Sequence, residues 1–352
     1  MRYRIALLFA FMLLAAAPAW AAQGEPVTLT VVTHDSFAAS EDVLKQFEAD
    51  NNIQVNILRS GDAGAMVNKA ILSKDNPLGD VMYGVDNTFL SRALKADIFE
   101  PYESPALKDV PDDFKLDEQN RVTPVDYGDV CLNYDVAYFE KHKLALPASL
   151  QDLTKPEYKS LLVVENPATS SPGLAFLLAT IAQFGTDGDY TYLNYWADLV
   201  KNDVKVVDDW NTAYYTDFSA PGRDSGDRPL VLSYASSPPA EVFFAKEPPK
   251  TAPVGAIVAD GTCFRQIEFV GILKGTKYPE AAQKFVDFML SRTFQEDMPL
   301  QMFVYPVLKD AELPDVFTKY SVVPEKPATV DIDELDKNRE AWIQAWTETV
   351  LR

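Results

Sequence analysis

Histidine is nearly absent from this 352-residue chain: His34 and His142 are the only two. A Ser–His–Asp triad could use only one of them, and His34 directly beside Asp35 is poorly set for that role. His142, in "FEKHKL", reads as exposed. No G-x-S-x-G, H-E-x-x-H or Walker A sequence occurs, and "GDAG" at 61–64 is too short for a phosphate loop. Carboxylates are too numerous for any catalytic pair to stand out. These gaps count against an enzyme. Cysteine is scarce as well. Cys131 and Cys263 are too few for a disulfide scaffold and lack metal-site spacing. Positive charge is in deficit: 32 Lys and Arg face 52 Asp and Glu, a formal net charge of −20 spread along the chain. That balance argues against nucleic acid as a partner. It would draw in a small cation, or it serves only solubility. Beyond the N-terminus, no apolar run is long enough to span a bilayer.

The N-terminus itself reads as a leader. "MRYR" carries two positive charges, "IALLFAFMLLAAAPAW" is apolar, and Ala19 and Ala21 form the A-x-A pattern of a cleavage site. Residues 1–22 are thus a signal peptide, cut after Ala21 or Ala22. The run is short for a retained anchor, and no cysteine at the junction supports a lipoprotein. The mature chain is expected to be exported, most simply to a bacterial periplasm. An oxidising compartment permits a disulfide. The two cysteines lie in strand-like stretches, "YGDVCLNY" and "TCFRQIEFVGIL". They bridge if those strands are neighbours and remain two buried thiols if not.

The length suggests two domains. Strand-like and helix-like segments alternate: "VTLTVVT", a helix from about 41 to 50 capped by Ser40, "IQVNILR", "AGAMVNKAILSK", "GDVMYGV", "TFLSRALKA". The middle repeats the plan, with "TPVDYGDVCLNYD" and "SLLVVENP" as strands. "SSPGLAFLLATIAQFG" is a helix capped by Ser171 and stopped by Gly185. This alternation predicts βαβ units and a mainly parallel sheet. In the closing helix, Leu335, Trp342, Trp346 and Val350 share a face and read as core.

Four polar or aromatic clusters fall at strand-to-helix turns: "THDSF" (33–37), "YGVDN" (83–87), "NPATSSPG" (166–173) and "LSYASSPP" (232–239). Ligands of open α/β sheets bind outside the carboxyl ends of the strands, where such loops converge. Each cluster taken alone could be caps and turn formers; four together point to a site. Thr169, Ser170 and Ser171 offer hydroxyl donors at a helix N-terminus, suited to an anion. "VVDDWNTAYYTDF" sets Asp208, Asp209, Trp210, Tyr214 and Tyr215 close together, suited to a flat cation.

At these residues the chain resembles the exported solute receptors of ABC importers, and among them the thiamine-binding periplasmic proteins. The likeness runs from about residue 27 to the C-terminus through "THDSFA", "FEAD", "DVMYGVDN", "PVDYG", "TSSPGL", "DDWNTAY", "LVLSYASSP", "FVYPV" and "REAWIQAW". It implies an α/β, two-lobed type II periplasmic binding protein fold with a ligand cleft between the lobes. Lobe 1 would comprise 27–125 plus 262–310, and lobe 2 126–261 plus 311–352. Thiamine or a thiamine phosphate would be captured there, without reaction or cofactor, by a monomer that a membrane permease then recognises. Residue by residue, Asp35 and Ser36 match the "DSF" motif. Asp86 and Asn87 match the turn facing the cation, Thr169 and Ser170 the phosphate-holding loop, Trp210 a stacking tryptophan and Tyr234 the tyrosine of "SY". His34, Tyr214 and Phe303 complete the expected ligand-binding set. The chain departs from the pattern where His34 replaces a tyrosine, Glu41 and Ala240 stand near lost aromatics, and Phe303 replaces a tryptophan. The implied aromatic cage is therefore thinner. Two other functions compete. A ferric receptor of the same fold would use His34, Asp86, Tyr214 and Tyr215. A secreted hydrolase would act on a thiamine ester.

Overall fold

Burial follows strand position in the sheet. The computed structural model describes residues 25–220, 226–247 and 249–352. The expected leader, 1–22, lies outside them. Along the chain run β1 (Val27–Thr33), β2 (Ile53–Arg59), β3 (Val81–Asp86), β4 (Phe99–Glu100), β5 (Thr123–Asp135), β6 (Leu162–Glu165), β7 (Lys205–Val207), β8 (Leu230–Tyr234), β9 (Val254–Ile257), β10 (Phe264–Leu273) and β11 (Tyr305–Pro306). The helices are α1 (Glu41–Asn51), α2 (Ala63–Leu72), α3 (Leu90–Lys95), α4 (Val136–His142), α5 (Ser171–Phe184), α6 (Tyr192–Lys201), α7 (Ser237–Phe243), α8 (Pro279–Met289), α9 (Arg292–Gln301), α10 (Asp315–Tyr320) and α11 (Ile332–Val350). β3 and β6 are buried at every residue, as strands covered on both faces must be. β2, at the sheet edge, is only partly covered.

One path of strands, β2-β1-β3-β10-β5-β8-β6-β7, runs through both halves of the molecule. The expected mainly parallel sheet is corrected at its centre. β1 pairs in parallel with β2 and β3, and β6 with β7 and β8. β10 is antiparallel to β3 and β5, and β5 to β8. β5 and β10 are the long segments that carry the chain from one half to the other, and a strand that crosses over need not keep the βαβ direction. Their pairing slips in register between Glu268 and Phe269, and β10 slips again on β3 between Phe269 and Val270. A bulge of this kind bends a strand and strengthens its local twist. The joint between the two halves is therefore a paired but bent ribbon.

On one side of the joint, Leu29, Val31, Tyr83, Phe285 and Phe294 pack in a core between β1, β3, α8 and α9. The other side is filled chiefly by the apolar α5, buried from Ser171 through Ile181, and by α6 and α11. Trp346 meets Trp196 edge-on at 5.4 Å, so the α11 tryptophans are core. α5 is capped one residue earlier than predicted: Ser170 is the N-cap and Ser171 the first helical residue. Gly185 ends it, as expected. Cys131 on β5 and Cys263 just before β10 are joined as a disulfide, Cα atoms 4.4 Å apart.

That cross-link spans 132 residues of sequence, and constraining so long a loop in the unfolded chain contributes about 5 kcal/mol in the chain-entropy model. The double variant Cys131→Ala/Cys263→Ala is expected to melt several degrees below the native chain in calorimetry. An unchanged melting temperature would show that the bridge adds nothing to stability.

Candidate functional site

The site grows from the bent joint. Glu268 of β10 lies opposite Asp126 of β5. Both are buried, and each would be costly to ionise alone. The Tyr83 hydroxyl bridges them, donating to Asp126 Oδ2 at 2.5 Å and lying 3.0 Å from Glu268 Oε2. His34, at the end of β1, brings its Nε2 to 3.4 Å from Glu268 Oε1. Burial works to lower the His34 pKa, but the Glu268 charge, with Asp62 and Asp35 beyond it, raises it above the ordinary histidine value. Burial works to raise Glu268, and His34 more than offsets it, holding that carboxyl below its usual range. Asp126 is pushed well above its usual range by burial and then by the charge of Glu268. The joint thus favours the charged forms of His34 and Glu268 and the neutral form of Asp126. The close packing of His34 against Gly84 is strict. A Cβ there would come within 2.2 Å of the imidazole, at a backbone φ of +96° that favours glycine.

Two further carboxylates come from the same half. Asp86 ends β3, is fully buried, and accepts from the Thr88 amide at 2.7 Å and the Thr88 hydroxyl at 2.5 Å. Asp62 caps α2, accepting from the Ala63 amide at 2.9 Å. The β6–α5 loop of the opposite half reaches both. The Ser171 hydroxyl donates to Asp86. The Ser170 hydroxyl is buried beside Asp62 without a well-formed hydrogen bond of its own. The Ala65 amide donates to the Thr169 carbonyl at 3.2 Å, and the Trp210 amide to Asp62 Oδ2 at 3.3 Å. The two halves are in direct contact across the cleft. Burial raises the Asp62 pKa and pushes Asp86 up to about 6 despite the hydrogen bonds each accepts.

The aromatic side follows β7. Trp210 stands just before a π-helical turn, Thr212–Asp217. Its indole Nε1 donates to Ser233 at 3.0 Å. One face stacks on Tyr214, centroids 4.9 Å apart and planes at 14°. Tyr234, at the end of β8, meets the indole edge-on at 6.4 Å and donates to Gln266 at 3.2 Å.

His34, Asp86, Thr169, Ser170, Trp210 and Tyr234 therefore lie close together where the two halves meet. Other expected residues take different posts. The Thr169 hydroxyl donates to the Asp208 carbonyl at 2.7 Å, so the hydroxyls read as anion donors are turned on protein acceptors instead. Asp35 and Ser36 are exposed, and Asp35 accepts from the Gly61 amide at 2.9 Å, tying two loops together. Asn87 is spent on the β10 backbone, donating to the Arg265 carbonyl at 3.1 Å and accepting from the Ile267 amide at 3.0 Å. Tyr214 donates to Glu241 at 2.9 Å, while Tyr215 is more than half exposed. Phe303 is buried beside Phe243, Phe244 and Phe317. Among the described residues no group of three or more His, Cys, Asp or Glu is arranged to hold a metal ion. Sequence reasoning missed Asp62, Glu165 and Glu268. The signal was there for the last two: Glu165 is the lone charge of β6, and Glu268 stands before the apolar run "FVGIL" of β10; Asp62 was hidden in the dismissed "GDAG".

The family model for bacterial extracellular solute-binding proteins matches residues 76–338. The chain is 33% identical to the thiamine-binding periplasmic protein of Escherichia coli (strain K12), over 97% of this chain and 98% of that one. A solved periplasmic thiamin binding protein superposes with a TM-score of 0.80 at 29% identity, covering 94% of this chain and 98% of its own. Iron-bound HitA from Pseudomonas aeruginosa shares the fold, with a TM-score of 0.73, 20% identity and coverage of 92% and 99%.

Keeping Asp86 charged at neutral pH costs about 3 kcal/mol. The folded state binds this proton more tightly than the unfolded chain does. The stability it supports is whole below the unfolded carboxyl pKa and is lost as pH rises through about 6. Asp86→Asn is therefore expected to melt higher than the native protein at pH 8, with the gain fading toward pH 4. A variant that melts lower at pH 8 would refute the buried-charge cost.

Proposed function

The chain belongs to the bacterial extracellular solute-binding protein family, and from that membership we propose that it captures thiamine in the cleft between its two lobes and delivers it to the permease of an ABC importer. The observation that carries this reading is the opposition of charges and rings. Carboxylates of one half, Asp62, Asp86 and Glu268, face Trp210 and Tyr234 of the other. A flat organic cation satisfies both sides, through charge with the first and cation–π contact with the second. The thiazolium would lie near Asp86 and against the face of Trp210 that Tyr214 leaves uncovered. The aminopyrimidine would take hydrogen bonds from polar cleft groups.

In this reading 27–125 plus 262–310 form lobe 1 and 126–261 plus 311–352 form lobe 2, with β5 and β10 between them. The protein works in the periplasm as a monomer, after its leader is cut at Ala21 or Ala22. It uses no cofactor and leaves its ligand unchanged. Closure is stabilised by contacts already made across the cleft, Ser171 to Asp86 and Ala65 to Thr169. The ferric reading is not favoured. His34 is committed to Glu268, Asp86 to Thr88 and Ser171, and Tyr214 to Glu241.

Titration calorimetry with purified protein is expected to give one thiamine per chain and no heat with ferric citrate. A colour from phenolate–iron charge transfer on adding ferric citrate would overturn the reading, as would repeated turnover of a thiamine ester. Trp210→Ala is expected to weaken thiamine binding by about 1–3 kcal/mol. Affinity should also fall as pH drops below about 6, because a protonated Asp86 no longer offers its charge to the cation. A flat pH profile from 5 to 8 would remove Asp86 from that role.

A further inference from the structure

Gln266 stands on β10 two residues before Glu268, so the two side chains share one face of the strand. It is buried, and both ends of its amide are engaged. The Tyr234 hydroxyl donates to Gln266 Oε1 at 3.2 Å, and Gln266 Nε2 donates to Glu268 Oε1 at 3.5 Å. The same Glu268 oxygen lies 3.4 Å from His34 Nε2. A line of contacts therefore runs from the Trp210 indole through Tyr234, Gln266 and Glu268 to His34 at the end of β1. The partners dictate which way the amide points. Burial, and then the charges of Glu268, Asp62 and Asp86, raise the Tyr234 pKa well above the ordinary phenol value, so its hydroxyl keeps the proton it donates. Glu268 favours its ionised form and only accepts. A neutral amide, accepting at one end and donating at the other, fits between such a donor and such an acceptor. The Tyr234 contact also has to cross a strand. β5 lies between β10 and β8, with Gly128 opposite Gln266. Tyr234 reaches over Gly128, where a Cβ would stand 3.0 Å from the ring Cδ1. A glycine inside a strand allows this close approach, and a larger side chain would lie in the path from Tyr234 to Gln266.

We propose that Gln266 is a positioning residue for ligand capture: its amide fixes the aromatic side, Tyr234 with Trp210, against the acidic side, Glu268 with His34, so that the two sides engage a flat cation as one unit. The inference rests on the reading of this junction as a thiamine site and adds to it a residue outside the strand-to-helix turns. A ring and a carboxylate held in register before the ligand arrives lose less freedom when it binds. An apolar side chain at 266 would leave the Tyr234 hydroxyl without its acceptor and free the ring to turn.

The test is titration calorimetry with thiamine near neutral pH on the native chain, Gln266→Met, Tyr234→Phe, the double variant and Gly128→Ala, with the melting temperature of each ligand-free protein alongside. Methionine keeps the length of the side chain and removes both hydrogen-bonding groups. Gln266→Met and Tyr234→Phe are each expected to weaken binding about three- to tenfold. Because they break one coupling, the double variant is expected to bind within about twofold of the weaker single variant. Gly128→Ala leaves every hydrogen-bonding group in place, displaces only the ring, and is expected to weaken binding several-fold. A purely structural Gln266 would lower the melting temperature and leave the affinity of the folded protein unchanged. Native affinity in a folded Gln266→Met therefore overturns the inference and leaves the thiamine reading standing. So do losses that multiply in the double variant. If Gln266→Met does not fold, Gly128→Ala decides: a loss of affinity upholds the inference and native affinity overturns it. Failure of the native chain to bind thiamine overturns the thiamine reading and this inference with it.

Discussion

The rest of the structure depends on a pair of acidic side chains placed where two long strands cross. Asp126 and Glu268 sit opposite one another on β5 and β10, at the point where both strands bend. Two carboxylates buried together cannot both be charged without help. Asp126 favours its neutral form, and Tyr83 and His34 hold the pair from β3 and the end of β1, so four neighbouring strands, β1, β3, β10 and β5, are tied by one polar cluster. In the proposed reading that cluster also sets the potential a cationic ligand would meet.

The same economy appears in the walls. Asp62 caps a helix, receives an amide from the facing half and carries charge into the cleft. Asp86 terminates a strand, anchors a turn through Thr88 and contacts the first residue of α5. A protein selected for stability alone would place apolar or neutral groups at these buried positions. The cost is electrostatic and is concentrated where the halves meet. In the proposed reading a bound cation would offset it, so affinity and that cost would share one origin.

Much of this could be read in the sequence. The turns bearing His34, Asp86, Ser170, Trp210 and Tyr234 follow strands whose β-branched runs are plain, and the strand-end rule assembles them without reference to tertiary contacts. The type II periplasmic binding fold was legible through ordered motifs along the whole chain. Three things were not. The antiparallel centre of the sheet escaped, because a crossing strand has the same apolar pattern as a parallel one. The commitments of Asn87 and Thr169 escaped, because a side chain that holds a loop has the same composition as one that holds a ligand. Glu165 and Glu268 escaped, because strand assignment weighs the apolar neighbours and discounts the few charges among them. In both cases the discounted charge lies where the halves meet.

The disulfide bears on how such a molecule opens. It clamps β5 to β10 beside Cys131 and Cys263, on one flank of the bend only. Sliding of the ribbon is restrained on that flank, while the bend at Pro124–Asp126 and Glu268–Val270 carries both acids beyond the clamp. In the proposed reading, a hinge at that bend would have the carboxylates on its axis, so a change of angle there would also change their spacing.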